Sequence, residues 1–426
     1  MINVLVFPAV GNNAIELHNA LSTCVNIKCW GGVSAQIDRH GSYVFENYVM
    51  GLPMITESNF FEELNKLIEE KNIEVIFPTH DTVANLFASN KDKINAKVVV
   101  SDKRTAEICR DKKLTYQCFK GESFIPTIYK DIKDVDKYPV FVKPKQGQGS
   151  VGAKRLASFE DVANIDLSDY VICEYLPGEE YTVDCFTDKD GNLLLVSPRS
   201  RQRLLAGVTV EGITEELTEE IKNIAETINH KLSFVGLWYF QIKKDSKNKW
   251  KLMEISTRCA GTMCLTRARG VNLPLLSVYT IMGYDVSVNP NPYKVKVDRT
   301  LISRYKIDYE YDTVYFDFDD TLIVREKINL YAIWFLYQCQ NNNKRIILLT
   351  KHEKELKESM RKYNICPDLF SEIIHIEPNE KKSKYIKHEK SIFVDNAFQE
   401  RKDVYDNCHI PVFDVEGIEV LMDYRQ

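Results

Sequence analysis

Short apolar runs alternate with amphipathic stretches over the first hundred or so residues. INVLVF (2–7), IEVIF (73–77) and KVVV (97–100) read as buried strands, while AIELHNALST (13–22) and FFEELNKLIEEK (60–71) place apolar residues at helical spacing. This βα alternation predicts an open parallel sheet over roughly residues 1–100. The first turn holds Gly11-Asn12 but no GxGxxG, so the dinucleotide fingerprint is missing and the unit reads as a scaffold beside a substrate cleft. From about 101 to 295 the pattern shifts to short strands with Gly-containing turns, then helices at 217–230 and 273–282. NPNPYKVKVDRT (289–300) reads as an exit toward a connector. Beyond a boundary near 305–312 come strand 313–317, helix 327–340, strand 345–349, helix 353–363, strand 391–395 and a short helix near 416–423. They predict a second, small αβ unit.

Composition narrows the class. With 426 residues, 44% hydrophobic and 27% charged, the chain has the make-up of a soluble globular protein, with about two to four folding units. A net charge of −5 and the lack of a basic block argue against a nucleic-acid or membrane surface. Eleven cysteines without a CxxC pair read as reduced thiols. The opening apolar run is too short for a signal sequence, and a cytoplasmic location is expected.

The segment YPVFVKPKQGQGSVGAKRL (138–156) sets Lys143 and Lys145 at the end of an apolar strand, followed by Gly147, Gly149 and Gly152. Glycines let backbone N–H groups approach phosphate closely, and a lysine supplies the balancing charge. Further on, VICEYLPGEEYTVDCF (171–186) gives a strand, an acidic turn and a second strand. WYFQIKK (238–244) and WKLMEISTR (250–258) place Gln241 and Glu254 on neighbouring strands, oxygen donors suited to Mg²⁺. Arg258, on the strand face of Ser256, can clamp a phosphoryl group. Arg199, Arg201 and Arg203 alternate in SPRSRQRLLAGVTVEG (197–212), so a regular strand points all three the same way, at least one of them into the cleft.

In this order, these residues make 1–295 resemble the ATP-grasp superfamily, nearest its carbamoyl-phosphate-synthase-like and carboxylate–amine ligase branches. The resemblance implies that Lys112 and Lys143 bind nucleotide and that the loop 146–152, with Gly147, Gly149 and Ser150, covers the phosphates. It gives the adenine hinge to Glu174, Tyr175 and Leu176, the ribose to Glu180, Mg²⁺ to Gln241 and Glu254, and the transferred phosphate to Arg258. Ser256 stands where the family usually has asparagine, and is the remaining metal-ligand candidate. The implied activity is ATP-dependent activation of a small-molecule carboxylate as an acyl phosphate, captured by an amine. An alternative keeps the front half as a small-molecule kinase with the last unit an inactive interaction module.

VYFDFDDTLI (314–323) then crowds Asp317, Asp319 and Asp320 at the end of a strand, where carboxylates repel unless a cation sits among them. RIILLT (345–350) ends in Thr350, EKKSKYIK (380–387) offers Lys382 or Lys384, and SIFVDN (391–396) delivers Asp395. This set resembles the haloacid-dehalogenase (HAD) superfamily over 313 to about 415. The resemblance implies a Mg²⁺-dependent phosphatase acting on a phosphorylated substrate. Asp317 would be nucleophile, Asp319 general acid, Thr350 and Lys382 the phosphate contacts, and Asp317, Asp319 and Asp395 the metal ligands. Asn396 replaces a common second aspartate, with Glu400 the candidate to compensate. The short intervals between 317, 350 and 382 leave no room for a cap domain.

The expected fold class is therefore α/β. It comprises a Rossmann-like pre-ATP-grasp domain (1–105), an ATP-grasp domain (106–305) and a capless HAD-like Rossmannoid domain (312–426). ATP and Mg²⁺ are the expected cofactors; no nucleic-acid or membrane partner is expected, and a homodimer is left open.

Overall fold

The computed structural model describes residues 1–34, 36, 40–147, 151–162, 168–205 and 207–425. They form two compact units, Met1–Leu301 and Ile302–Arg425.

The first unit opens with a parallel sheet of β1 (Ile2–Phe7), β2 (Ile27–Gly32), β3 (Asn47–Val49), β4 (Val75–Pro78) and β5 (Lys97–Val98), ordered 3-2-1-4-5. Val4, Leu5 and Val6 are fully buried because both faces of the sheet are covered, which is why the strand reads as continuously apolar. Phe7 packs against Phe60 of helix Phe60–Lys71 and Phe87 of helix Asp81–Ser89. Strand order reverses between β1 and β4, the crevice where open α/β sheets bind ligands. The turns leaving these strands carry Gly11, Asn12 and Asn13 on one side and Thr79, His80 and Asp81 on the other.

Two antiparallel sheets follow. β6 (Ile128–Tyr129), β7 (Val140–Pro144), β8 (Lys154–Leu156) and β9 (Tyr170–Glu174) run in the order 6-9-7-8. β10 (Glu180–Thr187), β11 (Leu193–Leu205), β12 (Val208–Thr214), β13 (Gly236–Lys244), β14 (Trp250–Ser256) and β15 (Lys296–Asp298) run in the order 14-13-10-11-12-15. Helix Glu219–Lys231, capped by the Thr218 hydroxyl, packs Ile221, Ile224, Ala225 and Ile228 against Val183, Trp238 and Phe240 of the second sheet.

Two expectations are corrected here. The segment read as an exit keeps to the sheet, because KVKVD alternates and its Lys296–Asp298 portion pairs with Glu211–Ile213 as an edge strand. The three arginines do not share a face: the register of β11 on β12 shifts between Arg201 and Arg203, so a bulge breaks the alternation. Arg203 is left exposed, paired with Glu211 and Asp298.

In the second unit, β16 (Thr313–Phe316), β19 (Arg345–Thr350), β20 (Glu372–His375), β21 (Ser391–Val394) and β22 (Val412–Phe413) form a parallel sheet ordered 20-19-16-21-22. Order reverses at β16, which brings the carboxyl ends of β16, β19 and β21 together. The small hairpin of β17 (Ile323–Val324) and β18 (Lys327–Ile328) turns through Arg325 and Glu326 at φ 50° and 59°. The helix expected from 327 therefore begins at Leu330, where the Asn329 side chain accepts from the N–H groups of Tyr331 and Ala332. Residues expected to be a connector belong to this unit, with Tyr309 and Tyr311 packed on its core and the Tyr309 hydroxyl donating to Ser391 O at 3.2 Å. Helix Phe398–Cys408 was not legible, because only Val404 of its residues is buried and no apolar stripe marks it. All eleven cysteines are free thiols. Among the described residues, no helix is long and apolar enough to cross a membrane.

Candidate active sites

A cavity of about 680 Å³ in the first unit is lined by both turns of the first sheet and by β7, β10, β11, β13 and β14. Lys143 stands at the end of β7, where its ammonium donates to the Tyr116 hydroxyl at 2.7 Å and to Met253 O at 3.0 Å. Lys112 opens a short helix whose first N–H groups are capped by Asp111, and its Nζ lies 3.7 Å from Glu254. Burial pulls the Lys112 ammonium below its usual pKa, and the Glu254 carboxylate partly offsets this. Glu254 pairs in register with Gln241 across β13 and β14, so the two expected oxygen donors are neighbours.

Asp81 was not anticipated. Its carboxylate accepts from Ser256 Oγ at 2.7 Å and from Arg258 Nη2 at 2.8 Å. Burial works to raise this carboxyl, but the Arg258 charge and these hydrogen bonds outweigh it and hold Asp81 at about 2. The available signal was FPTHD (77–81), an acid just past the apolar run of β4 at a sheet edge. The Ser256 hydroxyl, an expected metal ligand, donates to Asp81, and Ser256 is not among the residues lining the cavity.

Arg201 donates to Glu180, to Gln241 Oε1 at 3.2 Å, to Thr209 Oγ1 at 2.8 Å and to Gly207 O at 2.8 Å. Glu180 also pairs with Lys243 at 3.2 Å. Arg199 is buried in a two-pronged pair with Asp184, both contacts at 3.0 Å, so its charge is already balanced. Glu174 accepts from Thr127 N at 2.8 Å, Arg155 lies over the Tyr175 ring, and Leu176 is buried; none of the three lines the cavity. Gly147 does line it, while Gly149 and Ser150 lie outside the described residues. One carboxylate and one amide oxygen suit a Mg²⁺ ion that takes its other oxygens from phosphates and water. Among the described residues, no group of three or more His, Cys, Asp or Glu side chains is arranged to hold a metal.

Residues 166–301 match the family described as "ATP-grasp in the biosynthetic pathway with Ter operon". The first unit has an ATP-grasp fold. The D-alanine–D-alanine ligase of Thermotoga maritima is 30% identical over 142 residues, which is 30% of this chain and 46% of that protein, so the match spans less than half of its relative. Among solved structures, the biotin carboxylase domain of Hydrogenobacter thermophilus 2-oxoglutarate carboxylase, in complex with MgADP and bicarbonate, superposes with TM-score 0.54 at 17% identity, over 68% of this chain and 71% of that one. An L-amino acid ligase from Bacillus licheniformis gives TM-score 0.52 at 15% identity, over 66% and 74%. The cavity of the ATP-grasp unit thus holds Lys112, Lys143, Arg201 and Arg258 around the Gln241–Glu254 pair.

The second unit gathers its own cluster. Lys382 Nζ lies 2.6 Å from Asp317 Oδ1 and 2.6 Å from Asp395 Oδ2, and all three side chains are buried. These contacts belong to Lys382 rather than its neighbour Lys384. Burial lifts the Asp317 carboxyl to about 6, with Lys382 opposing the rise and Asp395 adding to it. Burial likewise raises Asp395. The buried Thr350 hydroxyl has no hydrogen-bond partner among the described residues, a vacancy suited to an incoming oxyanion.

Asp319 and Glu400 have partners of their own in the second unit. The Asp319 carboxylate meets His352, whose Nδ1 is 2.9 Å from both of its oxygens, while Asp317 and Asp395 meet on Lys382. Glu400, the candidate to compensate for Asn396, pairs with Lys351 at 2.6 Å. The Asn396 N–H donates to Thr321 Oγ1 at 3.0 Å, which ties down the strand-to-turn segment.

Proposed function

We propose that the ATP-grasp unit joins a small carboxylate to an amine with ATP hydrolysed to ADP and phosphate, and that the second unit is a capless HAD-like phosphatase in the same biosynthetic sequence. The observation that carries the first half is the cavity in which Lys112, Lys143 and Arg258 face the Gln241–Glu254 pair. The names of the relatives, a D-alanine–D-alanine ligase and an L-amino acid ligase, support C–N bond formation, and the MgADP complex of the biotin carboxylase domain supports ATP and Mg²⁺.

In this reading a carboxylate oxygen attacks the γ-phosphorus and ADP leaves. The amine nitrogen then attacks the acyl carbon, phosphate leaves, and the nitrogen gives up a proton. The chain's contribution is positioning and charge: Lys143 and Lys112 hold phosphate oxygens, and Arg258, fixed by Asp81, steadies the transferred group. Mg²⁺, when bound at Gln241 and Glu254, would neutralise phosphate charge.

In the second unit Asp317 would attack phosphorus, Thr350 and Lys382 would hold the phosphoryl oxygens, and Asp319 would protonate the leaving oxygen; water, giving up a proton to Asp319, would then displace phosphate from Asp317. Asp317 and Asp395, which meet on Lys382, would hold a Mg²⁺ ion there, and it would neutralise phosphate charge. A cytoplasmic location completes the proposal, and a mass measurement in solution distinguishes a homodimer from a monomer.

The test is ADP release from the intact protein across a panel of acids and amines. Release that requires both partners supports ligation, whereas ADP formed with the acid alone, leaving a stable phosphorylated product, would make the unit a kinase.

A further inference from the structure

Asp319 presents a difficulty if it is to protonate a leaving group. Its side chain is 54% exposed, and an exposed carboxylate free to rotate spends little time aimed at one atom. Among the described residues only His352 binds its oxygens, at 2.9 Å from each. His352 is itself well fixed. Its side chain is 9% exposed, its Nε2 lies 2.7 Å from Ser359 Oγ, and its ring meets Phe318 edge-on with centroids 5.1 Å apart. Its backbone carbonyl accepts from His375 Nε2 at 2.6 Å.

The chain holds these contacts by local means. His352 follows Thr350 by two residues, just past the carboxyl end of β19, and Ser359 lies on helix Leu356–Lys362 immediately after. The ring is therefore anchored to the same strand end that presents Thr350 to the phosphate. Ser359 can donate or accept, so it supports the imidazole in either tautomer.

We propose that His352, braced by Ser359, is a positioning residue of the second site, holding the Asp319 carboxyl toward the leaving oxygen. This rests on the phosphatase reading of that unit. His352 touches no reacting atom; it narrows the orientations of the group that does.

Intact His352→Ala, His352→Asn and Ser359→Ala proteins are to be assayed on p-nitrophenyl phosphate and on an alkyl phosphate, with circular dichroism to check folding. p-Nitrophenolate leaves without help, whereas an alkoxide needs a proton. His352→Ala should lower kcat on the alkyl ester about 10- to 100-fold and on p-nitrophenyl phosphate far less, within the range open to a general acid. His352→Asn, which can still reach the carboxylate, should recover part of that loss, and Ser359→Ala should show a weaker form of the same selectivity. Equal losses on both substrates in the folded variants would overturn the positioning role while leaving the phosphatase reading intact. Failure of the unaltered protein to hydrolyse either ester would overturn that reading and this inference with it.

Discussion

Asp81 joins two parts of the first unit that the sequence separates widely, and its partners set what its loss should do. The Arg258 side chain is 11% exposed, so removing the opposing charge leaves a buried cation without compensation. Asp81→Asn should reduce ADP release by about 10²-fold or more while p-nitrophenyl phosphate hydrolysis is unchanged, as measured on the same preparation. Equal ADP release would remove Asp81 from the site. The same carboxyl has a pH signature. Its folded value, about 2, lies below the usual aspartate value, so its stabilisation is fully present above pH ~4 and is lost as pH falls toward 2. That contribution amounts to about 2 kcal/mol, and acid unfolding of Asp81→Asn should lack it. Ser256 follows from the same geometry: Ser256→Ala should lower the melting temperature and ATP turnover without altering the Mg²⁺ concentration needed for half-maximal rate. A raised Mg²⁺ requirement would place the serine among the ligands.

Regular elements were legible wherever burial wrote a period into the chain. Helix Phe60–Lys71 matches its expected span because Phe60, Leu64, Leu67 and Ile68 form a stripe, and the Asn72 backbone at φ 51° ends it in a left-handed turn. Helix Phe398–Cys408 has no such stripe, and β11 hides a bulge that no alternation rule anticipates. That bulge separates Arg201 from Arg203 and leaves only the former bonded to Glu180 and Gln241. At this scale the sheet–helix contact of the first unit is sensitive to a single change. Trp238 is fully buried, stacked on Phe234 at 4.0 Å, and its indole N–H donates to Thr187 at 2.8 Å. Trp238→Ala should destabilise the first unit by about 3–5 kcal/mol. Thermal unfolding followed with ADP release and phosphatase activity as separate probes should show the first lost at lower temperature and the second retained.

The two units have separate cores, so the two proposed activities should be separable by mutation. Lys143→Ala and Glu254→Ala should each abolish ADP formation and leave ester hydrolysis nearly intact, whereas Asp317→Asn should do the reverse; loss of both activities in any one folded variant would contradict the two-site reading. The order of the motifs alone pointed to an ATP-grasp unit followed by an acidic αβ unit, because strand-end residues such as Lys143, Asp317, Thr350 and Asp395 are announced by the apolar run before them. Gln241 and Glu254 were legible as a pair for the same reason. Sequence periodicity is a local property, and it records which way a side chain faces but not what meets it from elsewhere in the fold. Asp81 reaching Ser256 and Arg258, Glu180 held by Arg201, and Asp319 turned to His352 depend on which strand ends the sheets bring together, and only the tertiary structure decides that.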